Sequence, residues 1–82
     1  MNKLQVMGRE GHQELVWDPE KVAEGDPEAL AVVAEAERIL DDALAHGHAA
    51  FRIDTPELPA QRIEKFDQTA PHTVIVPRLA GG

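Results

Sequence analysis

One stretch of this chain limits what the rest can build. Between Asp26 and Gly47 lie the start and stop signals of a single long helix. Asp26 suits the N-cap, Pro27 the first helical position, and Glu28 faces the positive end of the helix dipole. Gly47 suits the first position past the end, so the pattern predicts a helix running to about Ala45. His46, in the closing turn, would meet the negative end of the dipole when protonated. At about 100° per residue, Val33, Ala36, Leu40, Ala43 and Leu44 share one face, with Glu35, Arg38 and Asp42 opposite. One side of this helix must therefore pack on something, and a hairpin alone covers it poorly.

The flanking segments read as strands. Lys3 to Met7 places Leu4 and Val6 on one face. Gly8-Arg9-Glu10-Gly11 is a turn candidate. Gln13 to Trp17 resumes the alternation with Leu15 and Trp17 in phase, and together these pieces predict an N-terminal hairpin ended by Asp18-Pro19. Trp17 is expected in the core. Ala49 to Asp54 supplies another strand, with Phe51 and Ile53 alternating against Arg52 and Asp54. Thr55 to Ala60, with two prolines, reads as a loop. Gln61 to Phe66 is a weaker strand in which Phe66 falls out of phase, and Asp67 to Pro71 is a turn. Thr73 to Val76 is apolar on both faces, the signature of an interior strand. Pro77 cannot donate to a ladder, so pairing should weaken there. The predicted class is α+β: one helix lying across a mixed sheet of four to five strands. The last strand should be central and parallel to the first.

Composition sets the outer bounds. Eighty-two residues make one domain with a modest core. There is no cysteine, so disulfides, thiolate metal sites and a cysteine nucleophile are excluded. The net charge of -7, from 15 acidic and 8 basic residues, argues against nucleic-acid binding, which needs basic patches. It suits a basic partner surface instead. No apolar stretch approaches the ~20 residues of a membrane span, and Met1 to Met7 carries no signal-peptide pattern, so a cytoplasmic protein without membrane contact is expected.

The chain runs from His72-Thr-Val-Ile-Val into Pro77-Arg78-Leu79-Ala80-Gly81-Gly82. Glycine has no Cβ and lets other atoms approach the backbone closely. A diglycine after a strand is a thin thread that can enter a narrow channel in another protein and present the carboxylate of Gly82. The plain alternative is a frayed chain end.

Hairpin, single helix and final strand running into Arg78-Leu79-Ala80-Gly81-Gly82 together resemble the β-grasp, ubiquitin-like family. Ubiquitin ends in a strand followed by Arg-Leu-Arg-Gly-Gly. The small sulfur carriers of molybdopterin and thiamin synthesis are similar, with ends such as Pro-Pro-Val-Ala-Gly-Gly, and the present tail lies between the two types. The helix here is longer than ubiquitin's and leads almost directly into the next strand. The resemblance implies a β-grasp domain over residues 1–77 and a flexible tail over 78–82. It implies an E1-like adenylating enzyme as partner, with ATP bound by that partner, and a protein target or sulfur acceptor downstream. Gly82 would carry the chemistry and Gly81 the clearance. Arg78 would be read by the activating enzyme, and Leu79 and Ala80 would line its channel. The chain is then a substrate, not an enzyme, and needs no cofactor of its own.

The other side chains suggest no chemistry. His46-Gly47-His48 has the His-x-His spacing of a metal pair, but at a helix end with no further ligands it reads as capping and solvation. His12 and His72 read as surface residues, and no Ser/His/Asp arrangement can be assembled. Gly8 and Gly11 lack the Gly-Lys-Ser/Thr ending of a phosphate loop. Lys3, Lys21 and Lys65 are the lysines that would accept an isopeptide bond if chains form. An alternative therefore stands beside the modifier or sulfur carrier: an acidic, non-enzymatic accessory protein of phage type. It would dock a partner on a sheet edge or helix face, and its diglycine would have no chemistry.

Overall fold

The structure, a computed structural model, describes residues 1–8 and 11–78. Five strands and two helices follow in the order β1 Asn2–Gly8, β2 Gly11–Trp17, α1 Pro19–Ala23, α2 Pro27–Ala45, β3 Ala49–Ile53, β4 Gln61–Ile63 and β5 His72–Val76. They form one mixed sheet in the order β2-β1-β5-β3-β4.

The hairpin closes as expected, with Leu4 opposite Leu15 and Asn2 opposite Trp17. Its strands are longer than the alternation suggested. Gly8 and Gly11 pair with each other and so belong to the strands; the rest of the expected turn, Arg9 and Glu10, lies outside the described residues. The apolar final strand is central: β5 runs parallel to β1, with Leu4 beside Thr73 and Val6 beside Ile75. On its other side it is antiparallel to β3, with Ala50 opposite Ile75.

α2 has the ends its sequence specifies. The Asp26 carboxylate accepts from the Ala29 amide at 3.0 Å. At the far end His48 N–H reaches the Ala43 carbonyl (2.9 Å) and Gly47 N–H the Leu44 carbonyl (3.0 Å). This is the Schellman closure, and it requires the left-handed backbone seen at Gly47, φ +83°. Ala29, Val33, Ala36, Leu40 and Ala43 are buried, whereas Glu35, Arg38 and Asp42 face out. The buried stripe meets Leu4, Trp17, Ala50 and Ile75, which project from the sheet face that α2 covers.

Three expectations need correction. Asp18-Pro19 does not only end the hairpin; it starts a second helix. Asp18 caps α1 by accepting from the Glu20 amide at 2.9 Å, and Gly25, φ +80°, closes it. The third strand stops at Ile53, and Asp54 just beyond it accepts from Arg52 at 2.7 Å. The weak strand at Gln61 covers only three residues: Phe66 instead turns into the core, its ring 5.9 Å from that of Trp17. The Asp67–Pro71 turn forms as expected, with Ala70 N–H donating to the Asp67 carbonyl and the Thr69 amide to its carboxylate.

Candidate functional site: the root of the tail

β5 is the middle strand of the sheet, and its end leads into Pro77 and Arg78, the last described residues. Its last rung pairs Val76 with Ala49, the first residue of β3. Pro77 follows and offers no donor. Arg78 then lies against Gly47. A Cβ built on Gly47 would stand 3.3 Å from Arg78 Cδ and 3.4 Å from its Nη1. Gly47 is therefore suited to its place twice over, by its positive φ and by the side chain lying across it. Of the tail residues named from sequence, Arg78 is placed on the domain body. Leu79, Ala80, Gly81 and Gly82 lie outside the described residues.

The electrostatics of this corner are simple. α2 has no basic residue in its last turn. Its exposed C-terminal carbonyls carry the negative end of the helix dipole. His46 turns its Nδ1 back to the Asp42 carbonyl at 2.7 Å, and Arg78 brings a permanent positive charge to the same helix end. On the outer face of α2, Arg38 is bonded to Glu35, which holds the Glu35 carboxyl below its ordinary value.

The sheet face turned away from α2 is a second feature, one that strand alternation places but sequence reading did not single out as a surface. Thr73 and Ile75 are fully buried on the helix side, so Val74 and Val76 face the other way, beside Phe51 of β3. Val76, Met7 and Val16 are each about 40% exposed. On the same face His72 Nε2 donates to the Gln5 side-chain oxygen at 3.2 Å. Burial, and then the Lys3 ammonium, lower the His72 pKa, with Glu14 opposing.

The His46 and His48 rings are 6.5 Å apart, and among the described residues no three His, Cys, Asp or Glu side chains are placed to hold a metal ion. Among the same residues no helix is long and apolar enough to cross a membrane. Lys21 and Lys65 are exposed and Lys3 is half-buried. A groove of about 420 Å³ runs between Val6 and Gln13 of the hairpin, Arg38 and Ile39 of α2 and His46 just past its end, and among the described residues lining it no nucleophile is paired with a base. Comparison of the chain with protein-family models, with curated proteins and with solved structures gives no match.

Proposed function

We propose that this domain is a small ubiquitin-like, β-grasp protein modifier or sulfur carrier, activated at the carboxylate of Gly82 by an E1-like adenylating enzyme. The observation that carries the reading is the position of β5. It is the central strand, parallel to the first and antiparallel to the third, and it delivers Pro77-Arg78-Leu79-Ala80-Gly81-Gly82 from the middle of the sheet. A hairpin, one long helix across the sheet and a last strand leading toward the diglycine are the features on which the resemblance rests.

In this reading the chain supplies a handle and no catalysis. A Gly82 carboxylate oxygen attacks the α-phosphorus of ATP held by the partner, and pyrophosphate leaves. A thiolate or sulfide then attacks the acyl carbon, AMP leaves, and a thioester or thiocarboxylate remains. Gly81 and Gly82 present no side chains, so the thread fits a channel that a bulkier residue would block. Leu79 and Ala80 line that channel. A cytoplasmic setting, where ATP is at hand, belongs to the same proposal.

The test is intact mass. A chain ending at Gly82 is incubated with ATP and a lysate of the source cells. The expected product has one oxygen replaced by sulfur, or is covalently joined to a second protein. A variant without Gly81 and Gly82 should keep the fold and yield neither. Identical behaviour of the two chains would overturn the reading. It would favour the second one, an acidic accessory protein that docks through the half-exposed apolar sheet face around Phe51, Val74 and Val76.

A further inference from the structure

The contact between Arg78 and Gly47 follows from the register of the sheet. Ala50 lies opposite Ile75 and Ala49 opposite Val76. Continued two steps outward, the same antiparallel register brings residue 78 opposite residue 47. Gly47 is also where α2 ends, so the register sets the first tail residue against the negative end of a 19-residue helix. That helix has no cation in its own last turn. Pro77, with φ held near -65°, removes most of the freedom of the one residue between ladder and arginine.

We propose that Arg78 is a positioning residue: packed across Gly47 at the C-terminal end of α2, it latches the root of the tail and so sets the direction in which the tail leaves the domain. Its use in presenting Gly82 to an activating enzyme rests on the function proposed above; the latch itself does not. A free tail would sample many directions and lose that freedom on entering a channel. A latched root has lost part of it beforehand. The seat depends on glycine. A side chain at position 47 would press on the Arg78 stem even where the backbone tolerated it.

The experiment compares the chain ending at Gly82 with Arg78→Ala, Arg78→Lys, Gly47→Asn and the double variant Gly47→Asn/Arg78→Ala. Asparagine tolerates the left-handed backbone at a helix end, so it keeps the Schellman closure while adding a Cβ to the seat. The first readout is NMR and needs no enzyme. In the parent chain a cross-peak between the Arg78 δ protons and the Gly47 α protons is expected. Arg78→Ala should shift the amides of Leu44, Gly47 and His48 and leave the rest of the sheet unmoved. Arg78→Lys should keep much of the parent pattern there, since charge and stem remain. Absence of the cross-peak, with those amides indifferent to Arg78→Ala, overturns the latch whatever the domain does.

The second readout is the initial rate of ATP-dependent modification in lysate against chain concentration. Arg78→Ala should raise the half-saturating concentration about two- to fivefold, the range a cation at a helix C-terminus is worth, without lowering the maximal rate. Gly47→Asn alone should do the same, and adding Arg78→Ala to it should change nothing more. If Gly47→Asn leaves half-saturation untouched while Arg78→Ala raises it, the enzyme reads Arg78 directly and the positioning role is wrong. No modification of the parent chain, with the NMR contact present, overturns the modifier reading and the presenting role together while the latch stands.

Discussion

The two ends of β5 are held in different ways. At its start the strand is tied down by several independent bonds. Lys3 N–H donates to the Pro71 carbonyl, and the Asn2 amide (2.8 Å) and Trp17 indole (3.2 Å) both donate to the Gln68 carbonyl. Asp67 accepts from Thr69 and from Arg52 across the same loop. At its finish there is one proline without a donor and one long side chain lying over a glycine. The first arrangement stabilises the fold. The second is a single contact at the edge of the fold, so it can be removed at little cost to the domain.

The comparison breaks if substitutions at the two ends cost alike. The largest loss should come from Trp17→Ala, since Trp17 is 2% exposed, its ring meets that of Phe66 at a tilt and its indole N–H donates to the Gln68 carbonyl. About 3–5 kcal/mol is expected by urea denaturation, as for other buried aromatic truncations. Thr73→Val should act in the opposite direction. Its fully buried hydroxyl has no hydrogen-bond partner among the described residues, so an apolar group of similar shape should stabilise by about 1 kcal/mol or more. Asn2→Ala should lose about 1 kcal/mol, the worth of one hydrogen bond. Arg78→Ala, at the other end, should cost no more than about 1 kcal/mol, the worth of a cation at a helix C-terminus. A loss there as large as that of Trp17→Ala would mean that both ends carry the fold.

Acid sharpens the same contrast. The folded chain holds His72 below its ordinary value of 6.5, chiefly through burial and then through Lys3. The native state therefore binds this proton less readily than the unfolded one. Stability should be level above the ordinary value and fall as the pH drops through it, down to the lowered native value. His72→Gln should flatten that step. Asp67 is held below 3.8, first by the Thr69 hydroxyl and then by the Thr69 amide, so its contribution should persist through the histidine step and vanish only in stronger acid. Denaturation midpoints across pH would show both steps. Arg78→Ala should move neither.

How much of this was legible in the sequence depends on the distance over which the cause acts. The ends of α2 were readable because a cap is a local matter: Asp26, Pro27 and Gly47 act on their own backbone. The central place of β5 was readable because a strand apolar on both faces has nowhere else to go. α1 was missed although Asp18-Pro19-Glu20 repeats the Asp26-Pro27-Glu28 signal; five helical residues leave too little periodicity to stand out. The short β4 hinged on Phe66, whose departure from phase recorded a turn toward Trp17. The contact of Arg78 with Gly47 joins residues far apart in the chain, and only the register of β3 on β5 brings them together. In the candidate site, the diglycine is visible in the sequence, whereas the contact of Arg78 with Gly47 is not.

The parallel pairing of β1 with β5 also governs the order of events during synthesis. Lys3 to Val6 wait for His72 to Ile75 before the sheet has a middle. Until the ribosome has released that stretch, nothing joins the hairpin to β3 and β4, and α2 has a sheet without its middle strand to cover. The domain should therefore complete itself late and in one step, after a slow closure over a long loop of chain. The strand that finishes it is the one that leads into the tail, so no nascent chain should hold a finished domain before its tail is about to follow.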